Sequence, residues 1–153
     1  MINPRHLGTI KEITRDFFKK TTFDVEISFN SPQGNTIPIN IKTEEPRALI
    51  GEKGRTLAQL QHLLKAMLKK EVEEDFYIDL DVNGYKEKKI KYLKELATSI
   101  ADEVALMREE KVLPPMPAYE RRVIHLELAE RADVTTESIG KEPNRKVTIK
   151  PYP

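Results

Sequence analysis

The stretch ALIGEKGRTLAQLQ, residues 48–61, decides how the N-terminal half of this chain folds. Its apolar spacing is that of a helix, but Gly51 and Gly54 interrupt it, and each glycine costs a helix interior roughly 1 kcal/mol relative to alanine. Two residues without a Cβ favour a sharp turn that another backbone can approach closely. The helix after Gly54 directs its first N–H groups and the positive end of its dipole into this turn, beside Lys53 and Arg55. The turn is therefore predicted to bind a phosphate, although a helix corner that needs glycine for its own geometry explains the same string.

Regular patterns on both sides of the turn predict the elements around it. Asn3 and Pro4 are typical of a helix start, so a first helix is expected to reach about Lys20. Apolar and polar residues alternate at 23–29 and again at 37–41, which predicts a half-buried hairpin. A short helix at 46–50, the glycine turn, an amphipathic helix and a third strand complete the order αββααβ. The residues expected to be buried are Leu57, Leu60, Leu64 and Met67 in that helix and Phe76, Ile78, Leu80 and Val82 around that strand.

The second half of the chain is expected to form a separate domain after the break at Asn83-Gly84. An apolar repeat of three and four residues, from Ile90 to Met107, predicts a long helix that reaches about Glu110. A short strand at 112–113, a helix at 117–131 and strands near 134–138 and 146–149 complete the order αβαββ. The fold class is therefore α+β, with two small domains at 1–83 and 84–153, each a three-stranded sheet with helices on one face.

Composition limits the classes of function. The 153 residues are 39% hydrophobic and 33% charged, and they include no cysteine. No apolar run approaches the roughly 18 residues of a membrane-spanning helix, so a cytoplasmic protein without membrane insertion is expected. The net charge is +1, with 12 Lys/Arg against 13 Asp/Glu in residues 1–83 and 14 against 12 in residues 84–153. Neither half is a polybasic arm, so phosphate binding must depend on local placement.

The glycine turn, set after a helix and a hairpin and before an amphipathic helix, resembles the G-x-x-G loop of a prokaryotic-type KH domain. KH domains clamp about four nucleotides of a single strand across this loop. Glu52 departs from the family, in which the middle residues are often basic, and its carboxylate should repel phosphate. The resemblance implies that RNA binds at Ile50, Gly51, Glu52, Lys53, Gly54 and Arg55.

The outward face of the first sheet favours the same binding side. Its carboxylates would repel nucleic acid, and Tyr77 is its only aromatic ring, whereas a sheet that stacks RNA bases presents several rings. If this half binds RNA, it must then do so on the helical side, at the glycine turn. We interpret the carboxylates as a solvated face and not as a metal site, because strand residues this far apart form no preset cage. They are Asp24, Glu26, Asp79 and Asp81.

A second informative stretch is PPMPAYERRVIHLELAERADVTTESIGKEPNRKV, residues 114–147. Arg121 and His125 stand one helical turn apart, so a guanidinium and an imidazole can contact the same phosphate or successive ones. The alternative is that His125 packs, hydrogen-bonded, between Leu128 and Ala129.

The Arg-x-x-x-His spacing, the PPMPAYER segment, the VTTES strand and the EPNRKV return resemble the R-three-H domain, a family that binds single-stranded nucleic acid. Arg121 and His125 match its signature pair. The resemblance implies nucleic-acid binding by Arg121, Arg122, His125, Arg145 and Lys146.

A KH unit followed directly by an R-three-H unit resembles the Jag (SpoIIIJ-associated, KhpB) family of bacterial RNA-binding proteins. The resemblance covers nearly the whole chain, without the small N-terminal domain that many members carry before the KH unit. It implies that the ligand is single-stranded RNA, with single-stranded DNA as the alternative. It also implies a post-transcriptional regulator or RNA chaperone linked to cell elongation and division, with protein partners in the division or membrane-insertion machinery.

An enzyme is not expected, and neither is a cofactor or a metal. The sequence has no H-E-x-x-H, Walker or G-x-S-x-G string, and its three histidines are scattered. His62 lies away from its helix's apolar stripe and is interpreted as a surface residue. The remaining alternative is an adaptor whose helical surfaces, chiefly the long helix, bind proteins and for which nucleic acid is secondary.

Overall fold

In the computed structural model all 153 residues are described, and the chain forms two compact units, residues 1–86 and 87–153. Each unit has its own three-stranded sheet and its own hydrophobic core. The boundary between the units lies three residues beyond the predicted one, and the division into domains at 1–83 and 84–153 stays a prediction. None of the helices combines the length and the apolar character that crossing a bilayer requires.

The first unit has the predicted order αββααβ. Strand β2 is central, antiparallel to β1 and parallel to β3. A parallel pair needs a crossover connection, and α2 and α3 form it, so the glycine turn lies at the middle of the crossover as a single 3-10 turn, Glu52–Gly54. The elements are α1 (Pro4–Lys19), β1 (Val25–Phe29), β2 (Thr36–Thr43), α2 (Pro46–Ile50), α3 (Arg55–Leu68) and β3 (Tyr77–Val82).

The core of this unit follows the predicted alternation. The inward residues of β2 and β3 are at most 5% exposed, while the residues between them point outward. The start of α1 is also confirmed, because the Asn3 side chain accepts a hydrogen bond from the Arg5 N–H at 2.9 Å. Helices therefore cover one face of the sheet. The inward residues are Ile37, Ile39, Ile41, Ile78, Leu80 and Val82.

The buried stripe of α3 differs from the predicted one at its end. Leu57 and Leu64 are buried as expected, and Leu60 is half-buried, but Met67 is exposed and Leu68 is buried in its place. At 100° per residue Leu57, Leu64 and Leu68 lie within about 40° of one another, whereas Met67 lies about 80° to one side. The spacing of three and four residues thus selected Met67, which lies at the edge of the buried stripe, and missed Leu68.

The second unit has the predicted order αβαββ. Its sheet is antiparallel, with β6 between β4 and β5. Helix α4 includes the last two residues of the first unit and continues into the second. The elements are α4 (Tyr85–Met107), β4 (Lys111–Val112), α5 (Ala118–Leu128), β5 (Val134–Ile139) and β6 (Lys146–Pro151).

Both ends of the predicted stripe of α4 are exposed. Ile90 and Met107 lie at the surface, and the buried residues are Leu93, Ala97, Ala101 and Val104. The helix also ends earlier than the pattern suggested, because Arg108 adopts a left-handed conformation with φ 60°. Only the middle of this long helix therefore packs on the second core.

Candidate nucleic-acid interface

The glycine turn uses backbone conformations that favour glycine. Gly51 has φ 72° and ψ −176°, and Gly54 has φ 77° and ψ 13°. A Cβ on Gly51 would overlap the side chain of Thr56, and a Cβ on Gly54 would lie 3.1 Å from the ring of Tyr85. Lys53 is itself left-handed at φ 54°, which is uncommon outside glycine. Both glycines are therefore needed for the turn and for the close approach of its neighbours.

Part of the anion-binding potential of this turn is used internally. The Gly54 N–H donates to the Gly51 carbonyl at 3.3 Å, and the Arg55 N–H donates to the Glu52 carbonyl. The side chains are more available than the amides. Lys53 and Arg55 are exposed, and neither takes part in the ion pairs of this unit. The exposed carboxylate of Glu52 opposes them, so the net charge offered to a ligand by these three residues is +1.

Ile50, the remaining predicted residue of this loop, has a different environment. It ends α2, it is half-buried, and it packs against the core of the first unit. The structure therefore places the six predicted residues contiguously on one surface, with Ile50 anchoring the turn to the core.

The acidic outward face of the first sheet has a structural use that the sequence did not indicate. Asp79 forms an ion pair with Lys86, and the Asp81 carboxylate accepts a hydrogen bond from the Lys86 backbone N–H at 3.2 Å, near the start of α4. Tyr77 is 67% exposed, and the Lys65 ammonium lies 4.8 Å from its ring centroid. Two carboxylates thus hold the start of α4, and the one aromatic ring already contacts a cation.

Arg121 is buried in the second unit, with 7% of its surface exposed. Its Nε donates to the Met116 carbonyl at 3.2 Å and its Nη1 donates to Ser138 Oγ at 3.3 Å. Its Nη2 donates to the carboxylate of Glu142 at 2.7 Å. A buried guanidinium is costly unless it is paired, and Glu142 supplies the charge that offsets it. The predicted role of Arg121 suggested a guanidinium open to solvent. In the structure this guanidinium is instead buried and paired with Glu142.

The His125 ring is held at both nitrogens by hydroxyl groups of β5. Nδ1 lies 2.7 Å from Thr136 Oγ1, and Nε2 lies 2.8 Å from Ser138 Oγ. Arg121 can only donate, so Ser138 accepts from it and is free to donate its O–H to Nε2, while Nδ1–H donates to Thr136. Burial, and then the Arg121 charge, lower the pKa of His125 below its ordinary 6.5. The ring is thus a half-buried neutral imidazole that joins α5 to β5.

The other predicted residues of this unit are not all brought together. Arg122 is exposed and lies about 100° around α5 from Arg121. Arg145 is half-buried and lies near Arg121, because the Arg145 carbonyl accepts a hydrogen bond from the Met116 N–H at 3.1 Å. The Nε of Arg145 has no hydrogen-bond partner. Lys146 begins β6 on the opposite face of the sheet, because its neighbour Val147 shares the helix-facing side with Ser138.

Sequence reasoning missed three residues that shape this site. Thr136 and Ser138 share the inward phase of buried Val134 in β5, so alternation along the VTTES strand was a usable signal for them. Glu142 lies in the connection between β5 and β6, where no periodicity applies. Its charge partner could only be identified in three dimensions.

Comparison with known proteins covers both units. The R-three-H domain model matches residues 91–151. The chain is 36% identical over 143 residues to RNA-binding protein KhpB of Lactiplantibacillus plantarum, which is 94% of this chain and 42% of that protein. It is 34% identical over 126 residues to RNA-binding protein KhpB of Clostridium symbiosum and 32% identical over 116 residues to that of Bacillus subtilis. These matches cover 82% and 74% of the chain and 56% of each relative. The chain thus spans about half the length of the curated relatives it matches.

Proposed function

Because this chain belongs to the Jag (KhpB) family, we propose that it binds single-stranded RNA, with a binding and not a catalytic role. The observation that carries the proposal is the glycine turn before α3, where Lys53 and Arg55 are exposed and free of ion pairs. A phosphate seated there would meet two cations and the positive end of a 14-residue helix. These are the features that a sugar-phosphate chain requires.

The proposed second site is the Arg121 side of the second unit, and its residues have unequal roles. Arg122 is exposed and can meet a phosphate directly, whereas Arg121 is already paired with Glu142. His125 positions Ser138 and Thr136 and contributes no charge near neutral pH. Arg145 lies beside this group, and Lys146 contributes a positive charge on the other face of the sheet.

Substitution of Lys53 tests the first site. Lys53→Asp places a carboxylate where phosphate should sit, and aspartate tolerates the left-handed backbone of this position better than lysine does. The affinity for a fluorescein-labelled single-stranded RNA of mixed sequence should fall several-fold in anisotropy titrations. Lys53→Asn, which removes the charge without reversing it, should give an intermediate loss. The matched control is Lys19→Asp, since Lys19 is also exposed but ends α1.

The result that contradicts this site is an unchanged RNA affinity in Lys53→Asp with an unchanged circular dichroism spectrum. An equal loss in Lys19→Asp would instead indicate a general effect of charge.

The finer proposal is a cytoplasmic post-transcriptional regulator or RNA chaperone linked to cell elongation and division. Crosslinking to cellular RNA, followed by sequencing of the bound fragments, tests it. Recovery of transcripts for elongation and division proteins supports this role. Failure to recover RNA above background would favour the adaptor, whose partners would lie in the division or membrane-insertion machinery.

A further inference from the structure

We infer that the Glu142 carboxylate occupies the place on Arg121 that a phosphate of bound RNA takes, so that binding in the second unit exchanges one anion for another. This inference rests on the proposed function. It assigns to Glu142 the role of a residue that sets RNA affinity, by competing with the ligand from within the same chain.

The three hydrogen bonds of Arg121 separate into an inner and an outer set. Met116 and Ser138 accept from it as neutral groups, a backbone carbonyl and a hydroxyl. Glu142 is its only anionic partner, and the side chain of Glu142 is 62% exposed while that of Arg121 is 9% exposed. The guanidinium therefore meets the surface where Glu142 covers it.

A phosphate matches this position in charge and in geometry. Carboxylate and phosphate oxygens both accept short, charge-assisted hydrogen bonds from a guanidinium. The bonds from Arg121 to Met116 and Ser138 can persist during the exchange, because neither involves Nη2. The guanidinium stays in place and only its anion changes.

The segment that carries Glu142 can leave without disturbing the core. Residues 140–144 are all exposed, and they connect β5 to β6 through a turn in which the Asn144 N–H donates to the Lys141 carbonyl at 2.8 Å. None of the residues of this segment belongs to the buried core of the unit. Moving the Glu142 side chain costs its ion pair with the buried Arg121 guanidinium, and an arriving phosphate restores the counter-charge.

The test compares two carboxylates of the 153-residue chain. In Glu142→Gln the amide oxygen can still accept from Arg121 but carries no charge, so phosphate meets less competition. We expect single-stranded RNA to bind about two- to fivefold more tightly than to the wild type, the range set by one partly exposed ion pair. The control is Glu137→Gln in β5, because Glu137 is 57% exposed and its carboxylate also pairs with a cation at 2.7 Å, that of Lys150 in β6.

Affinity is measured by anisotropy with the same labelled RNA at equal salt, and the free energy of unfolding is measured in urea for each variant. A second variant, Glu142→Asp, keeps the charge on a shorter side chain and should bind with an affinity between those of the wild type and Glu142→Gln. It also serves if Glu142→Gln does not fold.

Each outcome decides between the inference and its alternatives. Tighter binding by Glu142→Gln than by Glu137→Gln supports the exchange. Equal affinities of these two variants overturn it and leave the proposed function standing. Weaker binding by Glu142→Gln also overturns it, because Glu142 would then organise the site for RNA. If neither the wild type nor Glu142→Gln binds RNA, the inference and the proposed function both fail.

Discussion

Protonation of His125 would reverse the hydrogen bond between its Nε2 and Ser138 Oγ. In the neutral ring Nε2 accepts from Ser138, and Ser138 in turn accepts from Arg121. A protonated ring would donate at both nitrogens, so Ser138 would have to accept from the ring and from Arg121 together. The new positive charge would also lie beside the Arg121 guanidinium. Burial of the ring, and then this neighbouring charge, are the causes of the lowered pKa of His125.

The lowered pKa of His125 predicts a pH dependence of stability. The folded protein binds a proton at His125 less readily than the unfolded chain does, because the pKa of His125 is lower in the folded state. The neutral ring therefore contributes stability at pH values above the unfolded pKa of about 6.5. This contribution is lost as the pH falls from there towards the folded pKa. The free energy of unfolding should therefore decrease more between pH 7.5 and pH 5 in the wild type than in His125→Gln. Urea titrations across this range measure the difference. His62→Gln, at an exposed helix position, is the control and should follow the wild type. Parallel curves for the wild type and His125→Gln would contradict a neutral, hydrogen-bonded ring.

How much of this site could be read from the sequence is clear at Arg121 and His125. Helical spacing correctly placed the two side chains on one face of α5, since four residues make about one turn. It could not say whether that face meets solvent or the sheet. The packing alternative placed His125 between Leu128 and Ala129, but its partners are Thr136 and Ser138, more than ten residues away along the chain. Alternation along β5 indicates that Thr136 and Ser138 face inward, but their contact with His125 depends on how α5 packs against that strand.

Among the elements, the first turn of α4 has a role that its periodicity did not indicate. The ring of Tyr85 packs so closely on Gly54 that a Cβ there would lie 3.1 Å from it. Asp81 and Asp79, at the end of β3, fix the same turn through Lys86. The glycine turn is thus supported by a helix start that is anchored to the sheet.

Replacement of Tyr85 tests this support. Tyr85→Ala removes the ring beneath Gly54, so the turn should become more mobile and present its cations less favourably to phosphate. We expect a loss of about 1 to 3 kcal/mol in unfolding free energy and a several-fold weaker affinity for single-stranded RNA. Tyr85→Phe keeps the ring and should retain most of both. Amide hydrogen exchange at residues 51–55 reports the local effect, and unchanged exchange in Tyr85→Ala would argue against a supporting role.

At the scale of the whole molecule, the sequence predicted the first unit well because its sheet has one buried and one outward face. Strict alternation in β2 and β3 fixed which residues enter the first core, and the order of elements in both units followed from helix and strand periods. The errors lie at helix ends, at Met67, Ile90 and Met107, where the apolar pattern continues beyond the surface that the helix buries. Apolar residues at such ends are exposed at little cost, so periodicity overestimates the buried stripe.

The low net charge of the chain, +1, leads to a final prediction about strand preference and salt. The proposed single-strand binding needs unpaired bases, whose edges are hidden in a duplex, so single-stranded RNA of about eight or more nucleotides should bind more tightly than a duplex of equal length. With no polybasic arm, the chain should contact only a few phosphates. Two to four contacts would give a slope of log affinity against log salt of about −1.4 to −2.8, at about 0.7 per contact on a single strand. Anisotropy titrations at several salt concentrations measure this slope, and Lys53→Asn should reduce its magnitude by about 0.7. A duplex preference at equal salt, or a slope that Lys53→Asn leaves unchanged, would contradict binding of a single strand at the glycine turn.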